Sequence, residues 1–229
     1  MRHDHRVPAV NVIVDEDAVA RAAREIAAHL RAAVDERGRA SLAVSGGSTG
    51  GPLLRALAAA ALPWEVIGTW QVDERVAPDG DPDRNANQLA GMPGDVRLMP
   101  VTADDLRAAA AEYATGLPER FDVVHLGMGP DGHTASWPPG DPVIHSTRPV
   151  DLSGEYQGRV RMTLTPPVID AARSRLVLVT GDDKAAAVAS WLHGPASGLP
   201  VERVPAAETT VVLDPAAASR LDRSSAGGE

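Results

Sequence analysis

Short apolar runs alternate along the chain with longer segments whose apolar residues recur every three or four positions. Residues 41–44, 66–72 and 121–126 are short apolar runs of the kind that forms buried β-strands. Residues 17–36 carry apolar side chains at helical spacing and stop before Gly38, which predicts a long helix. Further strands are predicted at 10–14, 98–100, 160–164, 176–180 and 209–213. Further helices are predicted at 52–61, 85–90, 103–115 with Thr102 as N-cap, 166–173, 183–193 and 215–221.

This repeated alternation predicts an α/β fold with a doubly wound, mainly parallel sheet and helices on both faces. No internal repeat or linker divides the chain, so we expect a single domain over residues 1–222. Residues 223–229 are small and polar and are expected to form a disordered tail. Residues 138–158, rich in Pro, Gly, Asp and Ser, are expected to form a long and irregular connection, either a functional loop or a small excursion.

Composition narrows the classes of function. The 229-residue chain has a net charge of −9 and a pI of about 5.2, which argues against a nucleic-acid-binding surface. It has no cysteine, which excludes disulfides, thiolate metal sites and a cysteine nucleophile. No apolar run approaches the roughly 18 residues of a membrane span, and the N-terminus lacks a signal-peptide core. We therefore expect a soluble, cytoplasmic protein.

Polar residues directly follow four of the predicted strands. The carboxyl ends of parallel strands meet at one edge of a sheet, where ligands bind. The strand at 121–126 leads into a glycine-rich turn that ends on Asp131 and His133. The strand at 66–72 leads to Asp73 and Arg75, and the strand at 176–180 leads to Lys184, the only lysine. The strand at 41–44 leads to a small, glycine-rich loop made of Ser45, Gly46, Gly47, Ser48 and Thr49.

The loop at 45–49 has three interpretations. Before a helix, its backbone N–H groups would bind a phosphate. It also matches the G-x-S-x-G nucleophile elbow, with Ser48 as the nucleophile. The third interpretation is a plain tight turn between a strand and a helix. A triad would need an acid and a histidine, and Asp131 and His133 are only two residues apart, which makes a poor relay. The phosphate cradle is favoured over the serine nucleophile.

Residues 127–132 match the G-x-G-x-x-G pattern, which requires a helix that opens within the motif. Pro138 and Pro139 follow closely and leave no room for a long helix, so a turn is favoured over a nicotinamide site. Among the other histidines, His125 is expected to pack inside a strand, and His145 remains a candidate in the irregular loop. The spacing indicates no metal site.

Five segments together resemble the 6-phosphogluconolactonases, and the resemblance extends from about residue 10 to 221. They are SGGST at 45–49, VDER at 72–75, GMGPDGHTAS at 127–136, RMTLT at 161–165 and GDDKA at 181–185. The wider family includes glucosamine-6-phosphate deaminases, which typically carry a glutamate soon after the histidine. Residues 135–140 read ASWPPG here, which favours the lactonase branch. The chain departs from the family at Trp137 and Pro138, at Arg84, and at 153–159, where a proline-rich loop is usual.

The resemblance implies hydrolysis of the δ-lactone of 6-phosphogluconate, a step of the oxidative pentose phosphate pathway. His133 would activate water, and Asp131 or a backbone group would orient its ring. The residues at 45–49, Arg75 and Lys184 would hold the phosphate, with Arg161 as a further candidate and Asp73 in the substrate site. No metal or organic cofactor is implied, and the protein would be a monomer or a small homo-oligomer. A sugar-phosphate isomerase or deaminase, a non-catalytic sugar-phosphate-binding domain and a serine esterase remain alternatives.

Overall fold

A computed structural model of the protein describes residues 10–194 and 196–221. The predicted tail at 223–229 lies outside these residues. In chain order the elements are β1 (Asn11–Val14), α1 (Ala18–Arg37), β2 (Ala40–Val44), α2 (Gly47–Ala58), β3 (Ile67–Gln71), β4 (Asp73–Arg75), α3 (Ala86–Leu89), β5 (Asp95–Arg97), α4 (Leu106–Thr115), β6 (Val123–Gly127), β7 (Val150–Tyr156), β8 (Arg159–Leu164), α5 (Pro166–Ala171), β9 (Ser174–Val179), α6 (Ala185–His193), β10 (Thr209–Leu213) and α7 (Pro215–Ala218). Short 3₁₀ turns occupy Trp64–Val66, Pro142–His145, Asp182–Lys184 and Pro200–Arg203.

The main sheet has seven strands in the order β1-β10-β9-β6-β2-β3-β5, and all neighbours are parallel. From β2 the chain winds outward through β3 to β5, and from β6 it winds the other way through β9 to β10. The direction of winding thus reverses between β2 and β6, which lie side by side. Such a switch point opens a crevice at the carboxyl ends of the two strands. The predicted doubly wound, mainly parallel fold is confirmed.

Both faces of the central strands of the main sheet are buried. Along β2, Leu42 and Val44 belong to one apolar cluster, together with Ile26 and Leu30 of α1, whereas Ala43 belongs to a second cluster. Burial of an aliphatic side chain of this size contributes about 1.5–3 kcal/mol. Because both faces are covered, the strands read as continuous apolar runs in the sequence.

A small antiparallel sheet, in the order β4-β8-β7, extends from the carboxyl edge of the main sheet. Val72, between β3 and β4, joins the two sheets: its N–H donates to the carbonyl of Val44 at 2.8 Å, and its carbonyl accepts from Leu164 at 2.7 Å. Strand β7 lies within residues 138–158, so this stretch is not a loop throughout but forms part of a small excursion from the main sheet. The alternate positions Asp151 and Ser153 are polar yet buried, which hides the strand pattern.

Three other predicted boundaries were wrong. Helix α2 begins at Gly47 rather than 52, because packing against α1 and the sheet outweighs the low helix propensity of glycine. The strand predicted at 98–100 is instead β5, three residues earlier, where it pairs with β3. Helix α4 is capped by Asp105, whose carboxylate accepts from the N–H groups of Arg107 and Ala108 at 3.0 Å, and not by Thr102.

Among the described residues no helix combines the length and apolarity that a membrane span requires.

Candidate active site

The crevice between β2 and β6 holds a pocket of about 230 Å³. Residues from four strand ends meet there, as the sequence predicted. The lining residues are Ser45, Gly46, Gly47, Ser48, Thr49, Asp73, Arg75, Asn85, Gly127, Met128, Gly129, Pro130, His133, Thr134, Ala135, Gln157, Arg161 and Lys184. Asp131 is the one predicted site residue that does not line the pocket, and it contacts His133 directly.

The loop after β2 forms the beginning of α2. The N-cap residue Gly46 makes no side-chain capping hydrogen bond, so no side chain of the cap occupies the first N–H groups of the helix. Ser45 is only 5% exposed, and its Oγ has no hydrogen-bond partner among the described residues. A buried hydroxyl without a partner is costly unless a ligand satisfies it. The helix terminus and this hydroxyl together suit an anion.

Three cationic side chains line the same pocket. Arg75 and Arg161 are register partners across β4 and β8. Burial lowers the pKa of Arg161, and the nearby charge of Arg75 lowers it further. Lys184 is 15% exposed, and its Nζ lies 2.8 Å from Oδ2 of Asp183. A protein with a net charge of −9 therefore concentrates positive charge at this pocket, which favours an anionic ligand.

Asp73 is the acidic residue among the lining side chains. It is buried, and its Oδ2 accepts from Ser136 Oγ at 2.7 Å. A carboxylate repels a phosphate but accepts hydrogen bonds from hydroxyl groups. This position therefore suits the hydroxyl-bearing part of a ligand rather than its phosphate.

Glu74 fixes the segment that carries Arg75. It is fully buried and accepts from the backbone N–H groups of Asn85 at 2.7 Å and Ala86 at 2.8 Å. Arg84, another buried residue, pairs with it at 3.1 Å. Asn85 in turn accepts from the Arg75 guanidinium. Arg84, one of the departures from the family pattern, thus compensates a buried carboxylate and has no place in the pocket.

The turn after β6 brings Asp131 and His133 together. Asp131 Oδ1 lies 2.6 Å from His133 Nδ1 and also accepts from the backbone N–H of His133 at 3.2 Å. The expectation of a poor relay concerned a serine triad, whereas Asp131 and His133 do pair directly because the turn is tight: Gly129 N–H donates to the carbonyl of His133, and Gly132 has a φ of +77°. A Cβ atom at Gly129 would overlap the imidazole, so glycine is required there.

Asp131 receives a third hydrogen bond from a residue that the sequence did not indicate. The hydroxyl of Tyr156 donates to Asp131 Oδ2 at 2.6 Å. Burial by itself raises the pKa of Asp131, but the hydrogen bonds from Tyr156 and His133 outweigh it and leave the pKa below its ordinary value. Asp131 is therefore a carboxylate at neutral pH. A carboxylate at Nδ1 assigns the ring proton to Nδ1 and leaves Nε2 as the acceptor.

The family model described as Glucosamine-6-phosphate isomerases/6-phosphogluconolactonase matches residues 14–213. The chain belongs to this family. The 6-phosphogluconolactonase of Streptomyces coelicolor is 38% identical over 224 residues, which cover 82% of this chain and 84% of the relative. The 6-phosphogluconolactonase of Mycobacterium tuberculosis is 36% identical over 243 residues, which cover 93% and 98%.

Two solved structures share the fold of this chain. A 6-phosphogluconolactonase from Shewanella baltica superposes with a TM-score of 0.79 at 26% identity, covering 91% of this chain and 97% of its own. A monomeric glucosamine-6-phosphate deaminase has a TM-score of 0.79 at 22% identity, with coverages of 91% and 99%. The chain therefore shares its fold with a solved structure of each name, lactonase and deaminase.

The geometry also bears on the interpretations that compete with the family assignment. No α-helix opens at the G-x-G-x-x-G match: the chain makes a turn, and the next described α-helix is α5. Ser48 lies in the first turn of α2, exposed, and the described contacts include no hydrogen bond between it and His133. His145 is exposed and outside the pocket. His125 is fully buried, and neither ring nitrogen has a partner among the described residues.

Within the described part of the chain, no group of three or more His, Asp or Glu side chains is arranged to hold a metal ion.

Proposed function

We propose that the protein hydrolyses 6-phospho-D-glucono-1,5-lactone to 6-phosphogluconate, a reaction of the oxidative pentose phosphate pathway. The observation that carries this proposal is the hydrogen-bonded Asp131–His133 pair beside a pocket that three cations line. A base next to an anion site suits a substrate that combines a phosphate with a hydrolysable ester. The curated relatives of similar length that carry the name 6-phosphogluconolactonase support the same reaction.

In the proposed mechanism His133 is the general base. Its Nε2 takes a proton from a water molecule while the water oxygen bonds to the lactone carbonyl carbon. The tetrahedral intermediate then collapses, the bond between that carbon and the ring oxygen breaks, and the proton on Nε2 passes to the ring oxygen. Asp131 stabilises the imidazolium that forms between the two proton transfers. A positioned base of this kind contributes about 10²- to 10⁴-fold.

The remaining pocket residues are assigned to the substrate. The N–H groups at the start of α2, the hydroxyl of Ser45, and the cations Arg75, Arg161 and Lys184 hold the phosphate. Asp73 accepts from a hydroxyl of the lactone. Binding of the phosphate dianion fixes the ring beside His133, so binding energy is used for orientation. No organic cofactor or metal takes part in these steps.

We further infer that the protein works as a monomer or small homo-oligomer in the cytoplasm.

The test is hydrolysis of freshly generated 6-phosphogluconolactone, corrected for its spontaneous rate. We expect catalysed hydrolysis that 6-phosphogluconate inhibits. Ammonia release from glucosamine 6-phosphate would instead assign the deaminase reaction. Tight binding of 6-phosphogluconate without turnover would assign a sugar-phosphate-binding domain, and an acyl-enzyme burst at Ser48 would assign a serine esterase.

A further inference from the structure

The hairpin of β7 and β8 brings Tyr156 against the Asp131–His133 pair. Its tip is a two-residue turn in which Gln157 and Gly158 have positive φ angles of 53° and 78°. This combination is the type I′ turn that connects two adjacent antiparallel strands most tightly. The ring of Tyr156 meets the imidazole edge-on, with centroids 5.3 Å apart.

We propose that Tyr156 is a positioning residue that holds the Asp131 carboxylate in the orientation in which it binds His133 Nδ1. This inference rests on the proposed function. Tyr156 does not line the pocket, whereas His133 does. The tyrosine therefore acts through Asp131 and not on the substrate.

The argument starts from the two oxygens of Asp131. Oδ1 is occupied by the Nδ1 and the backbone N–H of His133, and Oδ2 is occupied by the Tyr156 hydroxyl. A carboxylate held at both oxygens cannot rotate about its Cβ–Cγ bond without losing a charge-assisted hydrogen bond. Removal of the hydroxyl would leave Oδ2 without its donor and free the group to rotate.

The hydroxyl remains a donor at neutral pH. Burial, together with the hydrogen bond to Asp131 and the negative charge of Asp131, raises the pKa of Tyr156 to about 12. The phenol has one proton, and the 2.6 Å contact assigns it to Asp131 Oδ2 rather than to His133 Nδ1, which lies 3.2 Å away. Gln157 Nε2 donates to the phenol oxygen at 3.3 Å, so the acceptor side of the hydroxyl is also occupied.

The tip of the β7–β8 hairpin is also held by contacts of two β8 residues. Arg159, the register partner of Tyr156, pairs with Asp81 at 2.9 Å and Asp83 at 3.3 Å. The Arg161 guanidinium lies 4.9 Å from the centre of the Tyr156 ring. These contacts hold the phenol in one place, which a positioning role requires.

The variant that tests the proposal is Tyr156→Phe, which keeps the ring and removes only the hydroxyl. Tyr113→Phe is the matched control, because Tyr113 is the only other tyrosine and its hydroxyl bonds to Gln71 and Arg97, outside the pocket. We expect kcat for the lactone to fall about 10- to 100-fold in Tyr156→Phe with little change in KM. Tyr113→Phe should keep wild-type kcat. Wild-type kcat in Tyr156→Phe, a rise in KM alone, or an equal loss of kcat in both variants would overturn the proposal.

A measurement without substrate separates this inference from the proposed function. The imidazole Nδ1–H proton of His133 should give a low-field NMR resonance in the wild type and in Tyr113→Phe, because Asp131 protects it from exchange. In Tyr156→Phe we expect that resonance to broaden or disappear. An unchanged resonance would overturn the positioning role even if the lactone is hydrolysed. Its loss would support the role even if the lactone proves not to be the substrate.

Discussion

His133 is the residue on which the proposed chemistry depends. It is 20% exposed, lines the pocket, and has its Nδ1 engaged by a carboxylate that remains ionised. Two backbone hydrogen bonds close the turn that carries His133. The absence of a side chain at Gly129 leaves space for the imidazole ring. The local turn therefore brings Asp131 and His133 together, and Tyr156 from the β7–β8 hairpin adds a contact from a distant segment.

We predict that His133→Ala lowers kcat for the lactone by about 10²- to 10⁴-fold, because the general base is lost. His145→Ala is the control, since His145 is exposed and outside the pocket. Steady-state kinetics and thermal unfolding of both variants provide the measurement. Near-wild-type turnover in folded His133→Ala would remove His133 from the mechanism.

At the scale of elements, two buried serines near the junction of β2 and α2 have different roles, one in binding and one in stabilising the fold. Ser41 and Ser45 are both buried serines, one in β2 and one just after it. Ser41 Oγ donates to Asp122 Oδ2 and accepts from the Asp122 N–H, both at 3.0 Å. Ser45 Oγ has no partner among the described residues. The two hydroxyls therefore differ in what they contribute to folding.

We predict opposite effects of two alanine substitutions at this junction. Ser45→Ala should raise KM about tenfold or more, because a hydrogen bond to a charged phosphate is lost, and should leave the free energy of unfolding unchanged or slightly higher. Ser41→Ala should lower that free energy by about 1–3 kcal/mol and leave KM unchanged. Urea unfolding and steady-state kinetics measure both. A loss of stability in Ser45→Ala with unchanged KM would contradict the assignment of this hydroxyl to the phosphate.

The other elements show which features of the site local sequence can predict. The residues at 45–49, Arg75 and Lys184 were predicted because each follows an apolar run, and the parallel sheet places all strand ends at one edge. Tyr156 and Gln157 were not predicted, because β7 has polar residues at buried positions and no apolar run marks it. The pairing of β8 with β4, which lies far away in the sequence, brings the β7–β8 hairpin to the site and with it Tyr156 to Asp131.

At the scale of the whole molecule, charge is distributed unevenly. The chain is acidic overall, yet Arg75, Arg161 and Lys184 meet at one pocket, although they come from three segments far apart in sequence. Arg75 and Arg161 are register partners, and burial together with the charge of Arg75 lowers the pKa of Arg161, so an anion between the two guanidinium groups would be favourable.

We predict that Lys184→Ala and Arg75→Ala raise KM about tenfold or more with a smaller effect on kcat, because each removes a charged contact to the phosphate. Arg24→Ala is the charge-matched control, since Arg24 is 62% exposed on α1 and outside the pocket. Higher salt should also raise the wild-type KM. An unchanged KM in both pocket variants would refute the phosphate assignment.

His125, in the middle of the main sheet, makes stability depend on pH. Burial lowers its pKa from 6.5 to about 3, so below pH 6.5 the unfolded chain binds a proton that the folded protein does not. The stability that the neutral, buried His125 contributes is present above pH 6.5. As the pH falls from 6.5 towards 3, the free energy of unfolding decreases by about 1.4 kcal/mol per pH unit.

We predict that the wild type loses about 2 kcal/mol more of its free energy of unfolding between pH 7 and pH 5 than His125→Leu does. Leucine fills a similar volume and does not titrate. Urea unfolding of both proteins at the two pH values is the measurement. Equal losses would mean that His125 takes up its proton in the folded state.

Sequence alone determined the α/β class, the predicted strands that are directly followed by polar candidate site residues, and the family motifs. Apolar periodicity and short glycine-rich turns are local properties. Even the Asp131–His133 pair is local, because one tight turn brings the two side chains together. Tertiary structure alone decided the order of the strands, the register that sets Arg161 opposite Arg75, the lack of a partner for the Ser45 hydroxyl among the described residues, and the contact of Tyr156 with Asp131. These features depend on which distant segments become neighbours, and that depends on strand register and packing, which a linear pattern does not contain.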